Sequence, residues 1–224
     1  MTLFTNALHA DFITVPAQTF VYGSASRSRH RRETDPRSIS VDAFSCSARL
    51  VTQSEWVAVM GENPSRFAEG FEAMLRPVER VSWHDAIQFC SRLTAQLDDG
   101  GVYRLPTEYE WECIARCGAS TRWHFGEQDR DLDNFGWHAG NAGARTRPVG
   151  TKEGNPLGFF DLYGNVSEWC ADLAPEGTRE GQRVHRGGAW LHEAESCRSG
   201  MRFFADAGKQ SDSIGLRLVR EVIG

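Results

Sequence analysis

The residues with the most chemical potential lie near the end of the chain, in the stretch RVHRGGAWLHEAESCRSGMR at 183–202. It holds one cysteine, Cys197, and His192 stands five residues before it. Imidazole and thiolate both bind copper and zinc, so this pair could hold a transition metal. Soft Cu(I), however, is best matched by two cysteine sulfurs. The stretch therefore leaves two alternatives, a metal site or a cysteine that packs in the core beneath a surface histidine.

Other catalytic patterns are missing from the sequence. The seven histidines form no H-x-x-x-H or H-x-x-x-E pair, and no Ser-His-Asp order or phosphate-binding glycine loop stands out. Six cysteines are present without a secretion signal, so we expect them to be reduced and buried. A disulfide between Cys170 and Cys197 is a further alternative, because a disulfide requires a geometry that the sequence does not give.

Composition excludes several classes of partner. A formal net charge of −5 provides no general footprint for nucleic acid. The basic run between Arg27 and Arg37 is interpreted as a solvated loop. No window approaches the roughly 18 apolar residues that a membrane-spanning helix requires. We expect a cytoplasmic protein that binds neither nucleic acid nor a membrane.

Three helices are indicated by capping boxes, in which a hydroxyl is followed three residues later by an acid that reaches back to the cap. They begin after Thr52, Ser82 and Thr107. The second carries a stripe of apolar residues at spacings of four, three and four, which predicts one face turned to a core. The stripe is Ala86, Cys90, Leu93 and Leu97.

Short strands are predicted at both ends of the chain, and we expect the first and last to pair. In the last, the alternation predicts Leu216, Leu218 and Val222 inside and Arg217 outside. The stretch 118–175 is rich in Gly, Asn and Asp and has little periodicity, so something other than a core, such as a metal ion, could organise it. The prediction is one α+β domain over 1–224, with little regular secondary structure and many long loops.

Seven ordered motifs resemble those of the sulfatase-modifying-factor domain, the domain of formylglycine-generating enzymes. The resemblance runs from about Asp11 to Arg220, and the motifs are ITVPAQTFVYGS, VTQSEWVAVMGENPSRF, VSWHDAIQFCSRL, YRLPTEYEWECIAR, NPLGFFDLYGNVSEWCAD, RVHRGGAWLHEAESCRSGMR and IGLRLVR. It implies a variant C-type-lectin fold. In the enzymes two thiolates five residues apart hold Cu(I), and those positions correspond here to His192 and Cys197. One thiolate is therefore missing, and copper is not expected.

The resemblance also implies structural calcium. One calcium set would be Asp161 and Glu168 with the carbonyls of Gly164 and Val166, since Ca²⁺ prefers carboxylate and carbonyl oxygens. The alternative for these two acids is hydrogen bonding to turn amides. A second set would use the side chains of Asn134 and Asn141 with the carbonyls of Phe135 and Gly143. Here an asparagine stands where the enzymes have an aspartate, which lowers the charge of the set.

In related proteins the stretch 191–213 forms an exposed ligand-binding face. The residues predicted to line it are Trp190, His192, Met201, Phe203 and Phe204, and the alternative for Met201, Phe203 and Phe204 is burial in the core. The sequence predicts a non-oxidase binding or accessory module that meets a protein or small ligand there. The alternative is a copper- or iron-dependent oxidoreductase that acts on a cysteine, a small thiol or a peptide, with Cys197 and His192 as the catalytic candidates.

Overall fold

A computed structural model describes residues 3–24 and 33–222, and the observations below concern those residues. The predicted loop at 27–37 lies mostly outside them. Three helices begin where the capping boxes predict, α1 (Gln53–Met60), α2 (Trp83–Leu97) and α3 (Glu108–Arg116). In each, the cap side chain accepts from the third residue's backbone N–H, and that residue's carboxylate accepts from the cap N–H. The three helix starts are confirmed.

The predicted apolar stripe of α2 faces the core. Ala86, Cys90 and Leu93 are buried, and Leu97 is half-buried. Phe89, on the same helix, stacks on Trp56 of α1 with ring centroids 5.0 Å apart. Helix α2 is therefore a packing element that contributes no side chain to the candidate site.

Eleven strands are present in the described ranges, and most of them form two sheets. The larger sheet has the order β1-β2-β5-β11-β6, the smaller one β10-β7-β8-β9, and β3 pairs with β4 alone. The bounds are β1 Leu3–Thr5, β2 Asp11–Val15, β3 Gln18–Tyr22, β4 Arg37–Val41, β5 Phe44–Ser47, β6 Gly101–Arg104, β7 Ser167–Leu173, β8 Gln182–Arg186, β9 Arg202–Asp206, β10 Ile214–Gly215 and β11 Val219–Val222.

The ends of the chain share one sheet without pairing directly. Strand β5 lies between β2 and β11 and is antiparallel to both, so the predicted direct pairing is wrong. The burial pattern of the last segment also differs from the prediction, because Arg217 is fully buried and Val222 is 71% exposed. Arg217 precedes β11, and its side chain points into the interior, where it forms an ion pair with Glu168.

Between α3 and β7 the chain is mostly loop, as predicted. It contains one short helix, α4 (Leu132–Phe135), and a 3₁₀ turn before it. Two further 3₁₀ turns lie at Ala73–Leu75 and Ala194–Cys197. With about 22% helix and 25% strand, the domain has the loop-rich α+β character that the sequence predicts. None of the helices in the described part of the chain has the length and apolar character to cross a bilayer.

The larger sheet separates two apolar clusters. Phe12 and Ile13 are neighbours on β2, yet Phe12 packs in one cluster and Ile13 in the other, because successive side chains of a strand point to opposite faces. Cys170 and Cys197 both belong to the cluster that contains Ile13. The stretch 183–202 is thus attached to this cluster through the buried side chain of Cys197.

Candidate functional site

Cys197 is a core residue. It ends the 3₁₀ turn Ala194–Cys197, is fully buried, and its carbonyl accepts from Trp123 Nε1 at 3.0 Å. Its Sγ lies so close to Gly188 that a Cβ there would be 2.6 Å away, which only glycine avoids. Burial raises the pKa of the Cys197 thiol to about 12, so the thiol stays protonated at neutral pH. Cys170 and Cys197 are both free thiols in the structure.

His192 is half-buried and belongs to a stack of rings. Its ring stacks on Phe203 at 5.0 Å, and Phe203 stacks on His185 at 5.3 Å, which in turn meets the edge of Trp169. Burial lowers the pKa of His192, so the imidazole is neutral at pH 7. His192 is therefore not the exposed loop residue that the sequence suggests, because its ring packs against Phe203.

No group of three or more His, Cys, Asp or Glu side chains able to hold a metal ion occurs within residues 3–24 and 33–222. A transition-metal site at this place would have to rest on His192 and Cys197 alone. Cys197 is fully buried and protonated, and His192 is stacked on Phe203.

Trp190 anchors the exposed part of the stretch. Its Nε1 donates to the carbonyl of Asp212 at 2.8 Å, and its ring meets the edge of Phe67 at 5.4 Å. Leu191 beside it is 42% exposed. We call the side chains of Phe67, Trp190, Leu191, His192 and Phe203 the Trp190 surface. It is held by a tryptophan that is half-buried and hydrogen-bonded, a common feature of binding faces.

Two residues predicted for this face lie elsewhere. Met201 is 2% exposed, because it precedes β9 inside the fold. Phe204 points to the opposite face of β9 from Phe203, where it packs against the core and the guanidinium of Arg202 at 5.2 Å. The two-residue period of the strand separates these adjacent phenylalanines. Of the predicted face, Trp190, His192 and Phe203 remain, and Met201 and Phe204 do not belong to it.

Glu79 is a buried acid close to this surface that the sequence analysis missed. It is fully buried, and its Oε1 accepts from the Phe67 backbone N–H at 2.8 Å. Its Oε2 has no hydrogen-bond partner among the described residues. Burial, aided by the charge of Asp212, raises the pKa of Glu79 to about 7. The surrounding sequence, PVERVSW, gave no signal, since a glutamate before a helix is ordinarily exposed.

A buried ionic cluster lies on the other side of the smaller sheet. Glu112 of α3 pairs with Arg186 of β8 and with Arg116 at 2.7 Å. Glu108 lies one turn earlier in α3, and its two carboxylate oxygens accept from Nε and Nη2 of Arg202, each at 2.6 Å. Burial lowers the pKa of Arg186, but Glu112 and Glu108 raise it more, so the net change is upward. The cluster fixes α3 against β8 and β9, the strands that precede and follow the stretch 187–201.

In the first predicted calcium set, one of the two acids binds the guanidinium of Arg217. Both oxygens of Glu168 accept from Arg217, at 2.8 and 3.1 Å. Asp161 is 2% exposed and accepts from the Gly150 N–H at 2.7 Å and from Asn165 Nδ2 at 3.2 Å. Glu168 thus pairs with Arg217, whereas Asp161 forms no ion pair with a described residue, and burial raises its pKa. Carboxylate oxygens with a remaining negative charge fit a calcium ion.

The second predicted set has other groups close to its ligands. The side-chain oxygen of Asn141 already accepts from the His138 N–H at 2.9 Å. A Cβ on Gly143 would lie 2.6 Å from the guanidinium of Arg147, so a positive charge already occupies this turn. Asn134 is exposed, and the ring of Phe135 packs with His124. As at Glu168 in the first set, a guanidinium next to these ligands would repel a calcium ion.

Comparisons with known proteins agree with this architecture. A family model described as "Sulfatase-modifying factor enzyme 1-like domain" matches residues 3–222. The chaperone protein LppX of Paenibacillus barcinonensis is 29% identical over 250 residues, covering 89% of this chain and 88% of LppX. The formylglycine-generating enzyme of Mus musculus is 29% identical over 171 residues, covering 63% of this chain and 44% of the enzyme.

Solved structures place the fold in the same group. Treponema denticola variable protein 1 is 28% identical with a TM-score of 0.86, covering 97% of this chain and 98% of that one. PvdO from Pseudomonas aeruginosa has a TM-score of 0.82 and covers 98% of both chains, and at 23% identity it supports the fold alone. The α+β fold is therefore that of the formylglycine-generating enzymes, and the chain belongs to the sulfatase-modifying-factor domain family.

Proposed function

We propose that this protein is a binding or accessory module of its family and does not carry out the copper-dependent oxidation. The observation that carries the proposal is the state of Cys197, a fully buried thiol whose pKa is raised to about 12. Cu(I) binds thiolates, and two are needed for tight binding. At the position of the other thiolate stands His192, which stacks on Phe203.

The proposed partner is a protein or small ligand that contacts the Trp190 surface. A client polypeptide is favoured, because LppX is named a chaperone and is similar to this chain over 88% of its length. The surface offers half-buried aromatic rings and the exposed Leu191, and it is flanked by the ion pair of Arg66 with Asp212. Aromatic anchors ringed by charged groups are typical of binding faces.

The alternative is a copper- or iron-dependent oxidoreductase that acts on a cysteine or other small thiol. The identity of 29% to the mouse formylglycine-generating enzyme favours it. In that case Cys197 would have to become accessible and ionised, and His192 would have to leave its stack on Phe203. Copper binding distinguishes the two functions and is taken up at the end of the Discussion.

Calcium at Asp161 and Glu168 is part of the proposal as a structural ion. The remaining negative charge of these two buried carboxylates supports it. The ion would bridge the carboxylates at the two ends of the 161–168 turn and would take no part in chemistry. We also place the protein in the cytoplasm, since its six free thiols suit a reducing compartment, which cell fractionation can check.

Site-specific photo-crosslinking tests the binding proposal. A p-benzoylphenylalanine at Leu191 is expected to crosslink one reproducible partner in cells, because this side chain is 42% exposed within the Trp190 surface. The matched control is the same residue at Leu173, which is 59% exposed at the end of β7. Equal products at both positions, or none at Leu191, would count against the Trp190 surface as the binding face.

A further inference from the structure

An arginine-rich junction lies next to the segment that carries the Trp190 surface, because Asn165 accepts from both the Trp190 N–H and the Arg147 N–H. Arg76 follows the 3₁₀ turn Ala73–Leu75, and Arg145 and Arg147 stand on the loop before Pro148. The two segments are joined, since the Val149 N–H donates to the Leu75 carbonyl at 2.9 Å. Arg76 also donates to the carbonyl of Thr146. Arg76 thereby lies near enough to Arg145 and Arg147 for their charges to act on it.

These positive charges are not neutralised within the described ranges of the chain. None of the three arginines forms an ion pair with a carboxylate there, and Glu72 is the acid whose charge acts on Arg76 from a distance. Burial lowers the pKa of Arg76, and the charges of Arg145 and Arg147 lower it further. Arg147 has partial compensation, because it donates to the Ala142 carbonyl at 2.8 Å and lies 5.6 Å from the Trp137 ring.

The junction also contains polar atoms without partners. The Nε atoms of Arg76 and Arg145 and the hydroxyl of Thr146 are buried and make no hydrogen bond to the described residues. Arg76 is 5% exposed and Thr146 is fully buried. A buried donor left without an acceptor costs about 1–3 kcal/mol, and more when it is charged. A water molecule would satisfy the hydrogen bonds but not the charge, whereas an anion satisfies both.

We propose that Arg76, Arg145, Arg147 and the hydroxyl of Thr146 form a binding site for a phosphate or sulfate group, free in solution or carried on a larger ligand. The planar guanidinium presents paired donors that match the oxygens of these groups. A phosphate monoester carries a charge of about −1.5 to −2 at pH 7, which balances most of three positive charges where one carboxylate would not. The site goes beyond the proposed function and does not depend on it.

Binding of inorganic phosphate tests the proposal. In calcium-free buffer, calorimetry and thermal unfolding are expected to show saturable binding of phosphate and of sulfate, and no stabilisation by chloride at matched ionic strength. Arg145→Gln is expected to lower the affinity at least about tenfold, since a hydrogen bond to a charged group supplies that much. Arg145 is the primary variant because it is half-buried, whereas Arg76→Gln could disturb folding.

Arg179→Gln is the control, because Arg179 is an exposed arginine paired with Asp206. It should keep the affinity of the unmodified protein. Phenyl phosphate separates the two sources of the anion: tighter binding than inorganic phosphate assigns the site to a ligand-borne ester, and equal binding assigns it to the free ion. The proposal is overturned if phosphate and sulfate act no differently from chloride, or if a folded Arg145→Gln binds phosphate as the unmodified protein does.

Discussion

Replacing Glu112 by glutamine is expected to lower the free energy of unfolding by about 3–5 kcal/mol, the usual cost of breaking a buried ion pair. Glu112 is fully buried and neutralises both Arg116 and Arg186. Without its charge, Arg186 is left with Glu108, which already pairs with Arg202, and Arg116 loses its carboxylate partner. Glutamine keeps the size of the side chain and an oxygen for the Gly23 N–H, so the loss reports the charge and the hydrogen bond from Arg186, which an amide nitrogen cannot accept.

Chemical denaturation monitored by tryptophan fluorescence measures this effect. Glu127→Gln is the matched control, because Glu127 pairs with Arg122 on the surface with 54% of its side chain exposed. An exposed pair of this kind contributes at most about 1 kcal/mol. If both variants unfold at the same denaturant concentration, the buried cluster does not hold α3 in the way described.

Saturating calcium is expected to stabilise the protein by about 2.7 kcal/mol when its concentration is a hundredfold above the dissociation constant. For a chain of this size, that corresponds to a rise of about 5–10 °C in melting temperature over the EDTA-treated protein. The physical reason is the single negative charge left between Asp161, Glu168 and Arg217. Differential scanning calorimetry with calcium or EDTA measures the shift.

Two variants make the calcium test specific. Asp161→Asn removes the remaining charge and should abolish the response to calcium even if it also changes the basal melting temperature. Asn141→Ala, in the second predicted set, should leave the response intact, because the guanidinium of Arg147 lies beside that turn. An unchanged melting temperature in the unmodified protein, or a response that survives in Asp161→Asn, would remove calcium from this turn.

Local patterns in the sequence were enough to place the helices. A capping box depends on four consecutive residues, so Thr52, Ser82 and Thr107 mark helix starts without reference to the rest of the fold. The apolar stripe of α2 is likewise a property of one helix. The fold itself followed from the order of seven motifs, which amounts to comparing the whole chain at once.

Side chains whose surroundings come from distant segments were harder to predict. Arg217 was expected outside because it alternates with leucines, yet Glu168 lies 49 residues away and draws it into the interior. Met201 and Phe204 were expected on the binding face, but the start of β9 and its two-residue period turn them inward. The unneutralised arginines were missed because Arg76 and Arg145 are 69 positions apart in sequence. Each of these positions depends on long-range contacts that a sequence pattern does not encode.

Titration of the reduced protein with Cu(I) against a competing chelator tests the central claim most directly. The account predicts no tight site that depends on Cys197, so Cys197→Ser should bind copper as the unmodified protein does. Cys117→Ser is the control for incidental binding, since Cys117 is the half-buried thiol and the other five are buried. One tightly held copper per chain that is lost in Cys197→Ser, together with oxygen consumption in the presence of a thiol substrate, would contradict the account.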